Sequence, residues 1–178
     1  MIAVFASGTG TTLQTLIDCQ ERYAYQISLV VTNRECMAKH RAEKDGILTL
    51  LSKDWFEIDN ALVTNAIEYV VLAGFLVIIP QWFCNKWEGR IVNIHPSLLP
   101  KFGGKGMYGL RVHEAVIAAG EQYSGCTVHY VCAEIDGGNI IAQSSVPVMP
   151  DDTPETLAQR VQQAEKTLLP QVLGELVK

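Results

Sequence analysis

Ile2 to Ala6 is a short, unbroken apolar run, the pattern of a strand covered on both faces. Ser7-Gly8-Thr9-Gly10-Thr11-Thr12 interrupts it, and Leu13, Leu16 and Ile17 then recur at helical spacing. Strand, glycine turn and helix open a parallel α/β unit. The alternation continues along the chain. It predicts strands over Ile27–Thr32 and Ile47–Leu51, with helices over Cys36–Asp45 and Asp59–Glu68. Val70–Phe75 reads as a central strand, Pro80–Trp87 as a short helix and Arg90–Ile94 as a further strand.

The texture then changes. Pro96 to Leu110 carries two prolines and four glycines and predicts a long loop. Arg111–Ala119 is helical in pattern. Cys126–Cys132 alternates, with Cys126, Val128, Tyr130 and Cys132 on one face and Thr127, His129 and Val131 on the other. Asn139–Val148 is strand-like, and Asp136-Gly137-Gly138 between the two is a hairpin signal. Thr153 suits a helix N-cap, Pro154 the first helical position and Glu155 the positive helix end. Leu157, Val161, Ala164 and Leu168 form the apolar stripe of this last helix. Without a repeat, linker or low-complexity segment, the chain reads as one α/β domain over residues 1–178. It has a mainly parallel central sheet, helices on both faces and a late antiparallel hairpin.

Composition sharpens this picture. The 178 residues are 48% hydrophobic and 19% charged, enough to bury a core and to exclude global disorder. A net charge of −5 is poor for non-specific nucleic-acid binding, so any bound anion must be held locally. The five cysteines are odd in number and form no CxxC, which points away from a disulfide framework and towards a reducing compartment. The N-terminus has no basic region before its apolar run, so it does not read as a signal peptide. The longest apolar run, Val70–Ile79, stops at Pro80, well short of the roughly 20 residues of a membrane helix. The expectation is a cytoplasmic protein without membrane or nucleic-acid partners.

Three features carry chemistry. The loop Gly8 to Thr12 can cradle a phosphate, with glycines admitting the backbone and helix amides pointing at the anion. A dinucleotide fingerprint would need glycine where Leu13 stands and an acid where Asn33 and Arg34 stand. Gly104-Lys105 is followed by Gly106, so a P-loop fails as well. A smaller phosphate ligand, or a plain tight turn, remains. Asn93 and His95 leave the same face of a strand at its carboxyl end, where ligands bind in open parallel sheets. An amide there can bond a developing oxyanion and an imidazole can move a proton; a capped strand end with a satisfied histidine is the plainer alternative. Asp136 is a common turn residue and gains a role only if its hairpin folds over His95. His40 and His113 read as solvated, and His129 fits either a core or a site role. Cys126 and Cys132 read as core. No cluster has metal-ligand spacing, and no Gly-x-Ser-x-Gly elbow occurs.

Ile91-Val92-Asn93-Ile94-His95-Pro96-Ser97-Leu98-Leu99-Pro100 followed by Ile135-Asp136-Gly137-Gly138 resembles the formyltransferase superfamily that uses 10-formyltetrahydrofolate. The SGTGTTLQ start and the VLAGF segment make the chain similar, over essentially its whole length, to the branch that formylates glycinamide ribonucleotide in purine biosynthesis. The resemblance implies a Rossmann-like formyltransferase fold and a catalytic trio of Asn93, His95 and Asp136. It implies phosphate contacts from Gly10, Thr11 and Thr12 and a ribose contact from Glu165. It implies folate against Phe75, Leu76, Val77, Ile78 and Ile79, with Asn93 and the Asp136 loop. Residues 1–95 would form the nucleotide-phosphate half, and 96–178 the folate and catalytic-loop half with the last helix. Folate would be a co-substrate, with no tightly bound cofactor and no metal. Thr12 departs from the family's frequent Asn, and the loop Phe102–Leu110 is longer than in many relatives. The approach Ile67-Glu68-Tyr69-Val70 to the central strand is shortened. Methionyl-tRNA formyltransferases and formyltetrahydrofolate deformylases share the trio. The first usually add a C-terminal domain and a basic surface and the second a preceding domain, features not evident in this sequence. A non-catalytic nucleotide or folate binder on the same scaffold is the alternative of another class.

Overall fold

A strand with no polar position on either side needs helices both above and below it, and the first strand of this chain is such a strand. In the computed structural model, which describes residues 1–178, all five residues of β1 (Ile2–Ala6) are fully buried. Ile2, Val4 and Ala6 face one apolar cluster and Ala3 and Phe5 face another. The elements that follow are α1 (Thr11–Tyr23), β2 (Ile27–Thr32), α2 (Met37–Lys44), β3 (Leu48–Leu51), α3 (Trp55–Thr64) and β4 (Tyr69–Leu72). Then come α4 (Gln81–Lys86), β5 (Ile91–His95), α5 (Leu110–Ala118), β6 (Tyr123–Tyr130), β7 (Ile140–Pro147) and α6 (Pro154–Leu176).

The strands form one seven-stranded sheet in the order β3-β2-β1-β4-β5-β6-β7. The first five run parallel, and β6 and β7 close the sheet as an antiparallel pair. Helices α1, α2, α5 and α6 supply residues to the larger core, and α3 and α4 to the smaller. The α/β architecture with a late antiparallel hairpin is as the sequence pattern predicts. No helix is long and apolar enough to cross a membrane.

Several boundaries differ from the sequence reading, each for a local reason. Helix α3 begins at Trp55 because the Asp54 carboxylate accepts the N–H groups of Phe56 and Glu57, so Asp59 lies inside it. It stops at Thr64, and the shortened approach to β4 is a turn in which Ile67 N–H reaches the Leu62 carbonyl. Strand β4 ends at Leu72, since Gly74 adopts a left-handed φ of 70° and turns the chain. Phe75 leaves the sheet to pack edge-on against Phe5 and Trp55. Strand β6 lies earlier than predicted, ending at Tyr130, and β7 starts at Ile140. The Asp136-Gly137 signal therefore sits in a long connection rather than a two-residue turn. Cys132 falls beyond the strand end and is exposed, whereas Cys126 is buried as expected. His113 is buried, not solvated, because α5 lies against α6 over the sheet. In α6 the fully buried line runs through Leu157, Val161, Leu169 and Leu173, with Ala164 and Leu168 only partly covered.

The start of α6 is held by more than its predicted cap. Thr153 and Thr156 cap reciprocally, and Asp152 takes both guanidinium nitrogens of Arg160 at 2.6 and 2.9 Å. Arg160 also donates to the Pro147 carbonyl, tying the end of β7 to α6. The Arg160 hydrogen bonds hold the Asp152 carboxyl well below the usual carboxylate range. A depressed acid stabilises the fold above its unfolded value, and that contribution is lost as pH falls through the carboxylate range. Arg160→Met should therefore lower the thermal midpoint at neutral pH, with the gap to wild type closing below about pH 4. A gap that stays constant with pH would assign Arg160 a packing role instead.

Candidate active site

In a parallel sheet the carboxyl ends of the strands collect on one edge, and a ligand crevice opens where the strand order turns back, here between β1 and β4. A cleft of about 870 Å³ opens along that edge, and it takes in Thr12, the segment Phe75–Ile79, Asn93, His95, Asp136 and Glu165. Residues far apart in sequence thus meet in one space. Gly10 and Thr11 stand outside its lining.

Asn93 and His95 project from the carboxyl end of β5, the first half-buried and the second 4% exposed. His95 is anchored through Nε2, which lies 2.9 Å from the Phe102 carbonyl. A carbonyl only accepts, so Nε2 carries a proton and Nδ1 is the ring nitrogen left free of that anchor. Nδ1 lies 3.5 Å from Asp136 Oδ2. The connection 131–139 brings that carboxylate over the sheet edge, with Asp136 in the left-handed region at φ 55°, a conformation that aspartate tolerates. Its Oδ2 also accepts the Gly104 N–H at 2.9 Å, tying the carboxylate to the glycine-rich loop.

The turn after His95 has its own brace. The Thr127 hydroxyl donates to the Ser97 carbonyl at 2.6 Å, and its oxygen accepts from Leu99 N–H and the Gln143 amide. The Ser97 hydroxyl in turn donates to the Lys101 carbonyl. These buried bonds fix the route of the chain to Phe102, and so the anchor of His95.

At the other end of the cleft, α1 starts at Thr11 behind Gly10, which has a left-handed φ of 71° and no side-chain cap. The first helical hydrogen bond is Gln14 N–H to the Gly10 carbonyl, so the amides of Thr11, Thr12 and Leu13 face the helix end. Arg34 Nε donates to the Ser7 carbonyl and Arg41 Nε to the Thr9 carbonyl, bracing the loop from β2 and α2. Glu165 enters from α6, and burial pushes its carboxyl up to about 7. The Ser7 hydroxyl accepts the Leu76 N–H at 3.1 Å, joining the glycine loop to the apolar wall, where Leu76 and Ile78 are 65% and 75% exposed.

Sequence reasoning left His129 open and missed three further groups that line or brace the cleft. His129 faces Asn93 across β5 and β6, with Nε2 3.1 Å from Asn93 Nδ2 and 3.7 Å from Asp136 Oδ1. The alternating pattern put His129 on a definite face, but only the strand register shows which neighbour it meets. His113 lines the cleft with its Nδ1 unpartnered, and burial pushes its pKa down. The Phe102 carbonyl and Gly104 N–H are backbone groups, for which no residue type is a signal.

The profile of the formyl transferase family matches residues 1–173. The trifunctional purine biosynthetic protein adenosine-3 of Drosophila pseudoobscura pseudoobscura is 42% identical over 190 residues, covering 98% of this chain and 14% of that protein. The chloroplastic phosphoribosylglycinamide formyltransferase of Arabidopsis thaliana is 39% identical over 188 residues, covering 98% of this chain and 64% of that protein. The chain thus spans under two thirds of the length of either relative. Among solved structures, glycinamide ribonucleotide transformylase 1 of Geobacillus kaustophilus superposes with a TM-score of 0.90 at 34% identity, covering 99% of this chain and 98% of that one.

The glycine loop yields a test of what Gly10 does. A Cβ there would lie 2.7 Å from Ala38 Cα, whereas one on Gly8 would meet nothing within 4 Å. Gly10 thus lets α2 pack against the loop, rather than only admitting an anion. Gly10→Val should lower stability by at least about 1–3 kcal/mol, the usual cost of overpacking, and Gly8→Ala should be nearly neutral. Thermal melts of both variants without ligand check this; an unchanged midpoint for Gly10→Val would refute it.

Proposed function

The chain belongs to the formyl transferase family, and on that premise we propose that it transfers a formyl group from 10-formyltetrahydrofolate to the amine of glycinamide ribonucleotide. The observation that carries this reading is the convergence of Asn93, His95 and Asp136 in one cleft, between an uncapped helix N-terminus and an apolar wall. The phosphate sits at the start of α1 on the amides of Thr11 and Thr12, with the Thr12 hydroxyl taking the role of the more usual amide. The ribose hydroxyls meet Glu165. The folate lies along Phe75–Ile79 and under the 131–139 connection, as a co-substrate that leaves after each turnover. Residues 1–178 act as one formyltransferase domain, with residues 1–95 supplying the phosphate site and 96–178 the catalytic loop. The folate wall and Glu165 cross that division. The protein works in the cytoplasm on small molecules, without nucleic-acid or membrane partners.

The chemistry follows from the geometry. The substrate amine attacks the formyl carbon, the carbonyl π pair moves to oxygen, and an oxyanion forms. An Asn93 N–H and the Nδ1–H of His95 in its imidazolium form lie on one strand face and stabilise it together. The new ammonium loses its proton to Asp136, directly or through one water. Collapse of the intermediate breaks the bond to the folate nitrogen, which takes up a proton as it leaves. Phe102 contributes by accepting the His95 Nε2–H, which orients the ring so that Nδ1 faces the reacting atoms.

Purified protein should form formylglycinamide ribonucleotide from the two substrates. Hydrolysis of the folate alone, or formylation of methionyl-tRNA alone, would overturn the reading. Asp136→Asn keeps an acceptor for Gly104 N–H but removes the charge, so turnover should fall about 10²–10⁴-fold with the thermal midpoint little changed. Near wild-type turnover would reduce Asp136 to a loop residue.

Glu165 gives a pH test. Its raised carboxyl favours the protonated folded state, so folding stability falls as pH rises from the ordinary glutamate range to about 7. Glu165→Gln should raise the thermal midpoint at pH 8 but not at pH 4, while raising KM for the ribonucleotide. A Gln variant no more stable than wild type at pH 8 would contradict this.

A further inference from the structure

We propose that His129 is a positioning residue for Asn93: its neutral ring holds the Asn93 amide with one N–H directed into the cleft, and a proton on Nε2 turns that amide over. The proposal rests on the formyl-transfer reading for its catalytic meaning, and on hydrogen-bond logic for its geometry.

Asn93 and His129 are directly opposed in the antiparallel pairing of β5 with β6, so the backbone fixes their separation. His129 is 1% exposed. Its Nδ1 lies 2.9 Å from the Tyr130 carbonyl, which can only accept, so Nδ1 bears hydrogen. A neutral imidazole has one N–H, and Nε2 is left with a lone pair. Asn93 Nδ2, 3.1 Å away, donates to it. The amide is planar, and engaging one of its two N–H groups fixes the direction of the other. The amide oxygen cannot take that place without setting two acceptors against each other.

Protonation reverses these roles. With Nδ1 and Nε2 both donors, Nε2–H would face Asn93 N–H across the same gap. Rotating the amide by half a turn relieves the clash by putting Oδ1 on Nε2–H. A lone pair then points where an N–H pointed, and the oxyanion meets repulsion. Asp136 adds a second penalty. Its two oxygens lie 3.5 Å from His95 Nδ1 and 3.7 Å from His129 Nε2, so a cationic His129 competes with His95 for the carboxylate. The ionisable groups facing His129 are Asp136 from the 131–139 connection and His95 from β5. Burial, the largest influence, pushes the His129 pKa down and His95 acts in the same direction, against the Tyr130 carbonyl and Asp136. The neutral ring is the resting form.

Two measurements test this. In resting 15N-labelled protein near neutral pH, long-range 1H–15N correlations should show His129 protonated at Nδ1 and bare at Nε2. An Nε2–H tautomer would overturn the proposal, and this readout needs no substrate and no variant. In the transfer assay, His129→Leu should lower kcat towards the roughly 10²-fold loss of one oxyanion donor, with KM for either substrate little changed. His129→Gln, an acceptor that does not titrate, should recover part of that kcat and lose the acid fall in kcat that tracks the His129 titration seen by NMR. An unchanged kcat in His129→Leu, or an identical acid limb in His129→Gln, would also overturn it. Should wild-type protein transfer no formyl group, the reading of the reaction fails, and the tautomer measurement still decides the Asn93–His129 geometry.

Discussion

Strand β5 is hydrogen-bonded on one side to parallel β4 and on the other to antiparallel β6. A parallel neighbour places the end of β5 on the ligand edge of the sheet. An antiparallel neighbour sets a residue of the returning strand opposite each of its own, so His129 stands opposite Asn93 and Thr127 opposite His95. Both partners do work at the site: one meets the Asn93 amide and the other pins the turn that leads to the His95 anchor.

The polar groups of the site are held largely by backbone. The Phe102 carbonyl, the Gly104 N–H and the Tyr130 carbonyl each meet one of His95, Asp136 and His129. Backbone partners cost no side-chain entropy and do not titrate, so each fixes a proton or an acceptor at a known atom. The long loop between β5 and α5 therefore furnishes two of the three anchors, although its sequence signals only a proline- and glycine-punctuated loop.

The sheet was legible because burial on both faces leaves long apolar runs, as at Ile2–Ala6 and Val70–Ala73. Asn93 and His95 stood out through one contiguous motif, whereas Asp136, in a separate segment, stood out only through the resemblance. Boundaries moved where one side chain decided them: Asp54 advanced α3, and Gly74 with the aromatic pull on Phe75 shortened β4. His129 and His113 were illegible for a different reason. Their roles depend on which element lies across from them, and that is set by strand register and helix placement, not by local pattern. Gly10 was read for the right loop, but its contact with α2 shows a packing constraint that spacing could not reveal.

Leu76 and Ile78 stand largely in water at the lip of the cleft, on a segment tied down through Ser7 and the aromatic cluster around Phe5. A flat, partly apolar ligand that covers that lip removes this apolar surface from water. Binding of such a ligand therefore carries a negative heat-capacity change, and its enthalpy grows more favourable on warming. Capture of such a ligand at this wall is calorimetrically distinct from capture of an anion at the start of α1, where charge would meet backbone amides and little apolar area would be removed. The two ends of one cleft answer temperature in different ways.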